Sequence, residues 1–183
     1  MSRSEHFVVF PSELGWMAMA GRAEVVCRVA FGHPSPASAE RALRPYLDDA
    51  ESDHIWFADL VERLQAYAGG ARDDFRDVPV DVADRTDFQQ RVVEQCRKIP
   101  PGVTISYAQL AAAVGRPRAA RAVGNVMRSN PLPLLVPCHR VVGSGGDLGG
   151  YSAIGGLKTK RRLLDLEAAA WLWEATTAAV EAV

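Results

Sequence analysis

Cys138 stands inside the string Pro137-Cys138-His139-Arg140-Val141-Val142, a thiol followed directly by an imidazole and a guanidinium. Basic neighbours favour the thiolate, which is the attacking form of cysteine, so this position reads as an easily ionised nucleophile. The run Asn130-Pro131-Leu132-Pro133-Leu134-Leu135-Val136 leads into it. That run predicts a short apolar strand ending at the cysteine, with the sulfur on a rigid, buried element. Cys96 sits among Phe88, Val92, Val93 and Ile99 at helical spacing and reads as a small core residue. Three widely separated cysteines, an odd number, argue against a disulfide framework and for a reducing cytoplasm. No Cys-x-x-Cys or His-x-x-x-His spacing occurs, and Cys27 with His33 lacks further ligands, so no metal and no cofactor are expected.

The elements that must position Cys138 are well punctuated. Thr86-Asp87-Phe88-Gln89 is a capping box that opens a helix, and Pro100-Pro101-Gly102 closes it. Ser106-Tyr107-Ala108-Gln109 is a second capping box, opening a helix through Val114 that Gly115 terminates. Pro117 suits the first turn of a third helix running to about Ser129. On it Ala119, Ala122, Val123 and Val126 follow helical spacing and are expected to face the core. Pro117, Arg121, Gly124 and Arg128 then form the outer face, either a nucleic-acid contact or a plain solvated surface. The pattern is helix-turn-helix-like. Beyond Cys138, a glycine-rich loop (Gly143 to Gly150) ends at Tyr151-Ser152, and Lys158–Leu166 begins a basic amphipathic helix carrying Glu167. Residues 168–183 read as a packing helix or an extension.

The first half carries weaker signals. His6–Phe10, Trp16–Ala20 and Glu24–Phe31 suggest a strand meander, and Ala37–Leu47 and His54–Ala68 suggest helices. Ile55, Leu60 and Leu64 would form the buried face of the second helix, which Gly69-Gly70 stops. Val78–Val82 is a strand or a linker. His6, His33 and His54, scattered singly, read as structural or solvated.

A chain of 183 residues is long enough for one or two small domains. Its net charge of −1 conceals an asymmetry: residues 97–167 hold eleven Lys/Arg against three acidic residues, and the remainder ten against nineteen. A basic second half fits a polyanion partner, although a charge-balanced pair of solvated domains gives the same totals. Met1–Phe10 lacks the apolar core of a signal peptide, and no apolar run reaches membrane-spanning length, so a soluble protein is expected.

With Tyr107-Ala108-Gln109-Leu110 and Arg121-Ala122-Val123-Gly124 upstream, the Asn130–Val142 segment closely resembles the O6-alkylguanine-DNA alkyltransferases, or methylated-DNA–protein-cysteine methyltransferases. The match continues through Gly150-Tyr151-Ser152 and the Lys-Arg-Arg-Leu-Leu-x-Leu-Glu segment ending at Glu167. It is strong from about Asp87 to Glu167 and loose before that. The resemblance implies an α/β (α+β) chain with a small ribonuclease-H-like domain over residues 1–84, a winged-helix-like domain over 85–167 and a tail over 168–183.

It also implies DNA repair by direct reversal. Cys138 would accept the alkyl group from guanine O6. His139 would act as base through a bound water, oriented by Glu167, and Asn130 would hold the turn before the active site. Arg140 would support the fold through an ion pair. The target base must leave the duplex. Arg121 would fill its place in the stack, Tyr107 would assist rotation and hydrogen-bond the ring, and Gly124 and Arg128 would lie against the backbone. Met127, the backbone of Cys138 and Val141, the Tyr151 ring and the Ser152 amide would hold the extruded base.

A thioether has no route back to the thiol, so the protein would act once, as a monomer on double-stranded DNA. Activity on O4-alkylthymine is left open. Two departures stand out: Ala153-Ile154 lengthens the loop before Gly155-Gly156, and the amino-terminal zinc set of some relatives is missing. Two other readings compete. An alkyltransferase-like lesion sensor lacks the reactive cysteine that is present here. A winged-helix regulator with Cys138 as redox sensor would leave His139, Tyr151 and Glu167 without a joint purpose.

Overall fold

The computed structural model describes residues 5–47, 50–53 and 55–181, with side chains through residue 170. Three strands, β1 (His6–Phe10), β2 (Trp16–Arg22) and β3 (Val25–His33), form the expected antiparallel meander. A short β4 (Glu51–Ser52) adds parallel to β1, giving the order β3-β2-β1-β4. Helix α1 (Pro36–Leu43), capped by Ser35, seals one face through Ala39 and Leu43 against Ala18 and Ala20. It gives way to a 3-10 turn at Arg44–Tyr46, short of the single helix to Leu47 that the spacing suggested.

Helix α2 (Ala58–Ala68) buries Leu60, Leu64 and Tyr67. It starts later than the sequence pattern implied, because Phe57 takes a left-handed conformation at its cap. Ile55 therefore lies before the helix and is 85% exposed, not on the buried face. His54 falls outside the described residues. His6 lies against Asp53 and stacks near Trp56, while buried His33 contacts Ser38. Val78–Val82 is a linker; only Val80 forms an isolated bridge, to Val26.

Both capping boxes are formed, at Thr86 for α3 (Asp87–Arg97) and at Ser106 for α4 (Tyr107–Ala113). Helix α5 (Ala120–Arg128) packs on α3 and α4, completing the helix-turn-helix-like arrangement. Pro117 lies in the turn before α5, since no side chain caps its start and Arg116 anchors that turn by accepting from Ala119. The inner face is Val123, Val126 and Met127; Ala122, expected in the core, is exposed. The residue three positions back from Val126 takes the core position, and the shift of one residue turns Ala122 outward.

Strands β5 (Ile105–Ser106) and β6 (Val141–Val142) pair in parallel, tying the start of α4 to the segment after Cys138. Helix α6 (Gly156–Glu181) runs through most of the tail. The apolar core is continuous from Val8 to Leu163, spanning both halves of the chain.

Candidate active site

The residues leading to Cys138 are buried as expected, but they are not a strand. Leu132, Leu134, Leu135 and Val136 are almost fully enclosed in a compact loop, and Leu134 adopts φ 72°. An apolar run reports burial rather than a hydrogen-bond pattern, and here packing holds a branched residue in a left-handed conformation it would otherwise avoid. Asn130 closes this loop: its Oδ1 accepts from Leu132 N, and its Nδ2 donates to Val136 O at 2.9 Å. The same Nδ2 lies 3.2 Å from Cys138 Sγ. Cys138–Arg140 is then one turn of 3-10 helix, which throws sulfur, imidazole and guanidinium in different directions.

The sulfur faces a cavity of about 680 Å³ lined by Tyr107, Gly124, Met127, Arg128, Gly150, Tyr151 and Ser152. The ring of Tyr107 sits between two glycines. A Cβ on Gly124 would stand 4.0 Å from it, and one on Gly149, at φ +67°, only 3.0 Å. Close approach to the tyrosine explains the glycine at 149, whereas a Cβ at Gly124 would make an ordinary contact. Arg121 is exposed on the outer face of α5, outside the cavity lining. Val141 is buried beneath the site, and its carbonyl accepts from Lys160 Nζ at 2.6 Å. Ala153 and Ile154 line a smaller cavity of about 260 Å³ that reaches Cys138 from the side of β3.

Behind the sulfur lies a sealed polar cluster. Glu167 Oε1 accepts from His139 Nε2 at 2.9 Å, Arg140 Nη2 at 2.7 Å and the Tyr67 hydroxyl at 2.7 Å. Oε2 accepts from Arg140 Nε and from Gly102 N, both at 3.1 Å. Arg140 also donates to Ile99 O, so it serves the expected ion pair and points away from the cavity. Because a carboxylate only accepts, His139 carries its proton on Nε2 and offers the Nδ1 lone pair. Nδ1 is buried without a hydrogen-bond partner among the described residues, as is the Tyr151 hydroxyl.

The electrostatics overturn the simple picture of a thiol ionised by basic neighbours. Burial pushes the Cys138 thiol up; the Asn130 hydrogen bond and the Lys160 charge offset this only in part. Burial likewise pulls His139 down, against Glu167, so the imidazole is neutral rather than a cation beside the sulfur. Burial would raise Glu167, but the His139 and Arg140 contacts outweigh it and hold the carboxyl well below the usual range. The resting site is therefore a protonated thiol followed by a neutral imidazole with an unpartnered Nδ1, backed by a compensated carboxylate.

Of the residues singled out from sequence, Cys138, Tyr107, Gly124, Met127, Arg128, Tyr151 and Ser152 meet around one cavity. Asn130 contacts the sulfur, and His139 and Glu167 pair with each other in the buried cluster behind it. Sequence reasoning missed Tyr67 and Lys160. The Lys160, Leu163, Glu167 spacing, one face of a helix and buried throughout, was a usable signal for the lysine. Tyr67, a hundred residues from Glu167, had none.

The chain matches the family profile described as 6-O-methylguanine DNA methyltransferase, DNA binding domain, over residues 87–169. It is 38% identical over 162 residues to the methylated-DNA–protein-cysteine methyltransferase of Mycobacterium tuberculosis (strain ATCC 25618 / H37Rv), covering 88% of this chain and 92% of the relative. The enzyme of the same name from Mycobacterium leprae is 47% identical over 111 residues, 61% of this chain and 65% of that one. The crystal structure of Mycobacterium tuberculosis OGT in complex with DNA matches with a TM-score of 0.74 at 36% identity, covering 90% of this chain and 94% of the other.

Proposed function

The chain belongs to the methylated-DNA–protein-cysteine methyltransferase family, and on that premise we propose that it repairs DNA by direct reversal, moving the alkyl group of O6-alkylguanine onto Cys138 in a single turnover. The observation that carries the assignment is the coincidence at one sulfur of a cavity with room for an extruded base in front and an imidazole held by Glu167 behind.

In the transfer, the thiol proton passes through a bridging water to His139 Nδ1, and Sγ forms a bond to the alkyl carbon as the bond from that carbon to O6 breaks. The electron pair stays with guanine, which takes up one proton as the His139 imidazolium gives one up to solvent, so that the proton lost by the thiol is balanced. Glu167 stabilises the imidazolium, and Asn130 and Lys160 stabilise the thiolate. The alkylated base is extruded from duplex DNA, with Arg121 on exposed α5 filling the gap and Gly124 and Arg128 against the backbone. Tyr107, Met127, the Val141 backbone, Tyr151 and Ser152 hold the base.

The organisation that fits this reading is a ribonuclease-H-like unit over residues 1–84, a winged-helix-like unit over 85–167 and a tail over 168–183. The strand meander with parallel β4 supports the first, and the α3–α4–α5 cluster with the β5–β6 pair the second. We read the protein as a monomer; widely spaced free cysteines support a reducing cytoplasm. No helix among the described residues is long and apolar enough to cross a membrane.

Intact mass before and after incubation with duplex DNA containing O6-methylguanine tests the proposal. A gain of one methyl group, mapped to the Cys138 peptide, is the expected result. An unchanged mass with intact DNA binding overturns it in favour of a lesion sensor.

A further inference from the structure

We propose that Tyr67 is a positioning residue for the transfer reaction: its hydroxyl, delivered by α2 from the other half of the chain, holds the Glu167 oxygen that orients His139. This rests on the assignment of Cys138, His139 and Glu167 made above.

The geometry is specific. Glu167 has two oxygens, and the Tyr67 hydroxyl reaches the one that His139 uses, Oε1, at 2.7 Å. Arg140 reaches that oxygen too, through Nη2 and Nε, so three residues share it, while Oε2 takes the same Arg140 Nε and Gly102 N. Tyr67 is 2% exposed, and its ring packs edge-on against Phe75 with centroids 5.5 Å apart. The hydroxyl therefore arrives on a ring that packing holds still, and in a desolvated site each donor counts for more than in water. Burial and the adjacent Glu167 charge push the Tyr67 hydroxyl well above its ordinary value, so it remains a donor throughout the working range.

Two consequences follow from sharing one oxygen. The hydroxyl fixes where the carboxylate sits, and hence the plane of the imidazole. It also draws charge from Oε1, leaving less to stabilise the imidazolium. Besides Glu167, the charged groups facing His139 are Arg140 on its own turn and Lys160 on α6; Tyr151 on the loop faces Cys138, Tyr67 and Glu167, and Cys96 on α3 faces Cys138 and Arg140. None of these but Arg140 bonds to Oε1.

Tyr67→Phe removes only the hydroxyl and keeps the ring against Phe75. With only His139 and Arg140 left on Oε1, the imidazolium is better stabilised, so His139 becomes easier to protonate. Since transfer needs the neutral imidazole, the acid limb of the pH–rate profile moves to higher pH, by on the order of half a unit. The shift is the same for duplex O6-methylguanine and for free O6-benzylguanine, and DNA affinity is unchanged. In a His139→Gln background the second substitution moves nothing further. The His139 ring protons, followed by NMR, titrate at correspondingly higher pH in Tyr67→Phe. A lower melting temperature with the imidazole midpoint and the acid limb both in place makes Tyr67 a packing residue and overturns the proposal. Failure of the underlying assignment looks different: His139→Gln would leave the acid limb of the otherwise unaltered protein where it was, and the NMR titration would still decide the Tyr67 contact.

Discussion

In front of Cys138, Tyr107, Gly124, Met127 and Tyr151 surround an open cavity, with Arg128 at its edge. Behind it, His139, Arg140, Glu167 and Tyr67 form a cluster in which no residue is more than 3% exposed. The front has few internal polar partners, because its hydrogen bonds must be made to something that arrives. The back satisfies nearly all of its polar groups internally, because a buried carboxylate left uncompensated costs several kcal/mol. Changes in front should alter what is bound and how the base gets there. Changes behind should alter proton transfer and stability, whatever the substrate.

Removing the sulfur between the two regions is the most drastic break. Cys138→Ala should abolish transfer entirely while duplex binding survives, since the exposed face of α5 is untouched; incorporation of labelled alkyl group and a gel-shift assay check both halves. Transfer by this variant at a normal rate would place the acceptor elsewhere.

Next in size is the loss of the proposed base behind the sulfur. His139→Gln should slow transfer by about 10²-fold or more, the usual contribution of a positioned base. Burial raises the Cys138 thiol, so without its base the rate should climb with pH into and beyond the ordinary thiol range of about 8.5. The loss should be similar on duplex and free-base substrates, as rates measured on each will show.

A front-side change should separate those substrates. On the role proposed for Arg121, filling the gap left by an extruded base, Arg121→Ala removes a stabiliser of a state whose unstacking costs a few kcal/mol. Duplex repair should fall roughly 10- to 100-fold, while reaction with free O6-benzylguanine, which needs no extrusion, stays near normal. Equal losses on both would move Arg121 to the back-side class; if it merely touched phosphate, the salt dependence of binding would weaken instead.

The smallest effect is on acid stability. Glu167 is held below its ordinary value in the folded chain, so it binds its proton less readily there than when unfolded. Its stabilisation is in place above the ordinary carboxylate value of about 4.3 and drains away as the pH falls through the depressed folded value. Melting temperatures at neutral and acid pH should therefore drop more steeply in the unaltered protein than in Glu167→Gln, although the latter starts lower because Arg140 loses its charge partner.

The two regions also differed in how far they could be read without coordinates. The front came from local signals: Ser106 and Gln109 cap α4 and so place Tyr107, and the alternation on α5 separates Val123 and Val126 from Arg121, Gly124 and Arg128. Boundaries were weaker. Ala122 and Ile55 were misplaced because one residue of phase, or one left-handed Phe57, turns a side chain from core to solvent. The segment before Cys138 departs from the expected strand for a different reason: Leu132 to Val136 satisfy a strand, a helix or a buried loop equally well when only hydrophobicity is counted.

What the sequence by itself determined is the chemistry available and its local frame: one thiol in Pro-Cys-His-Arg, two capping boxes, and a basic second half. Only the tertiary structure decided the protonation states. The basic neighbours of Cys138 promised a thiolate, yet burial leaves the thiol raised, the imidazole neutral and Arg140 turned to Glu167. It also brought Tyr67 to a carboxylate a hundred residues away. The physical reason is range. Capping and periodicity act over one or two helical turns and are written in neighbouring residues, whereas desolvation and charge sharing depend on whichever segments the shared core from Val8 to Leu163 presses together.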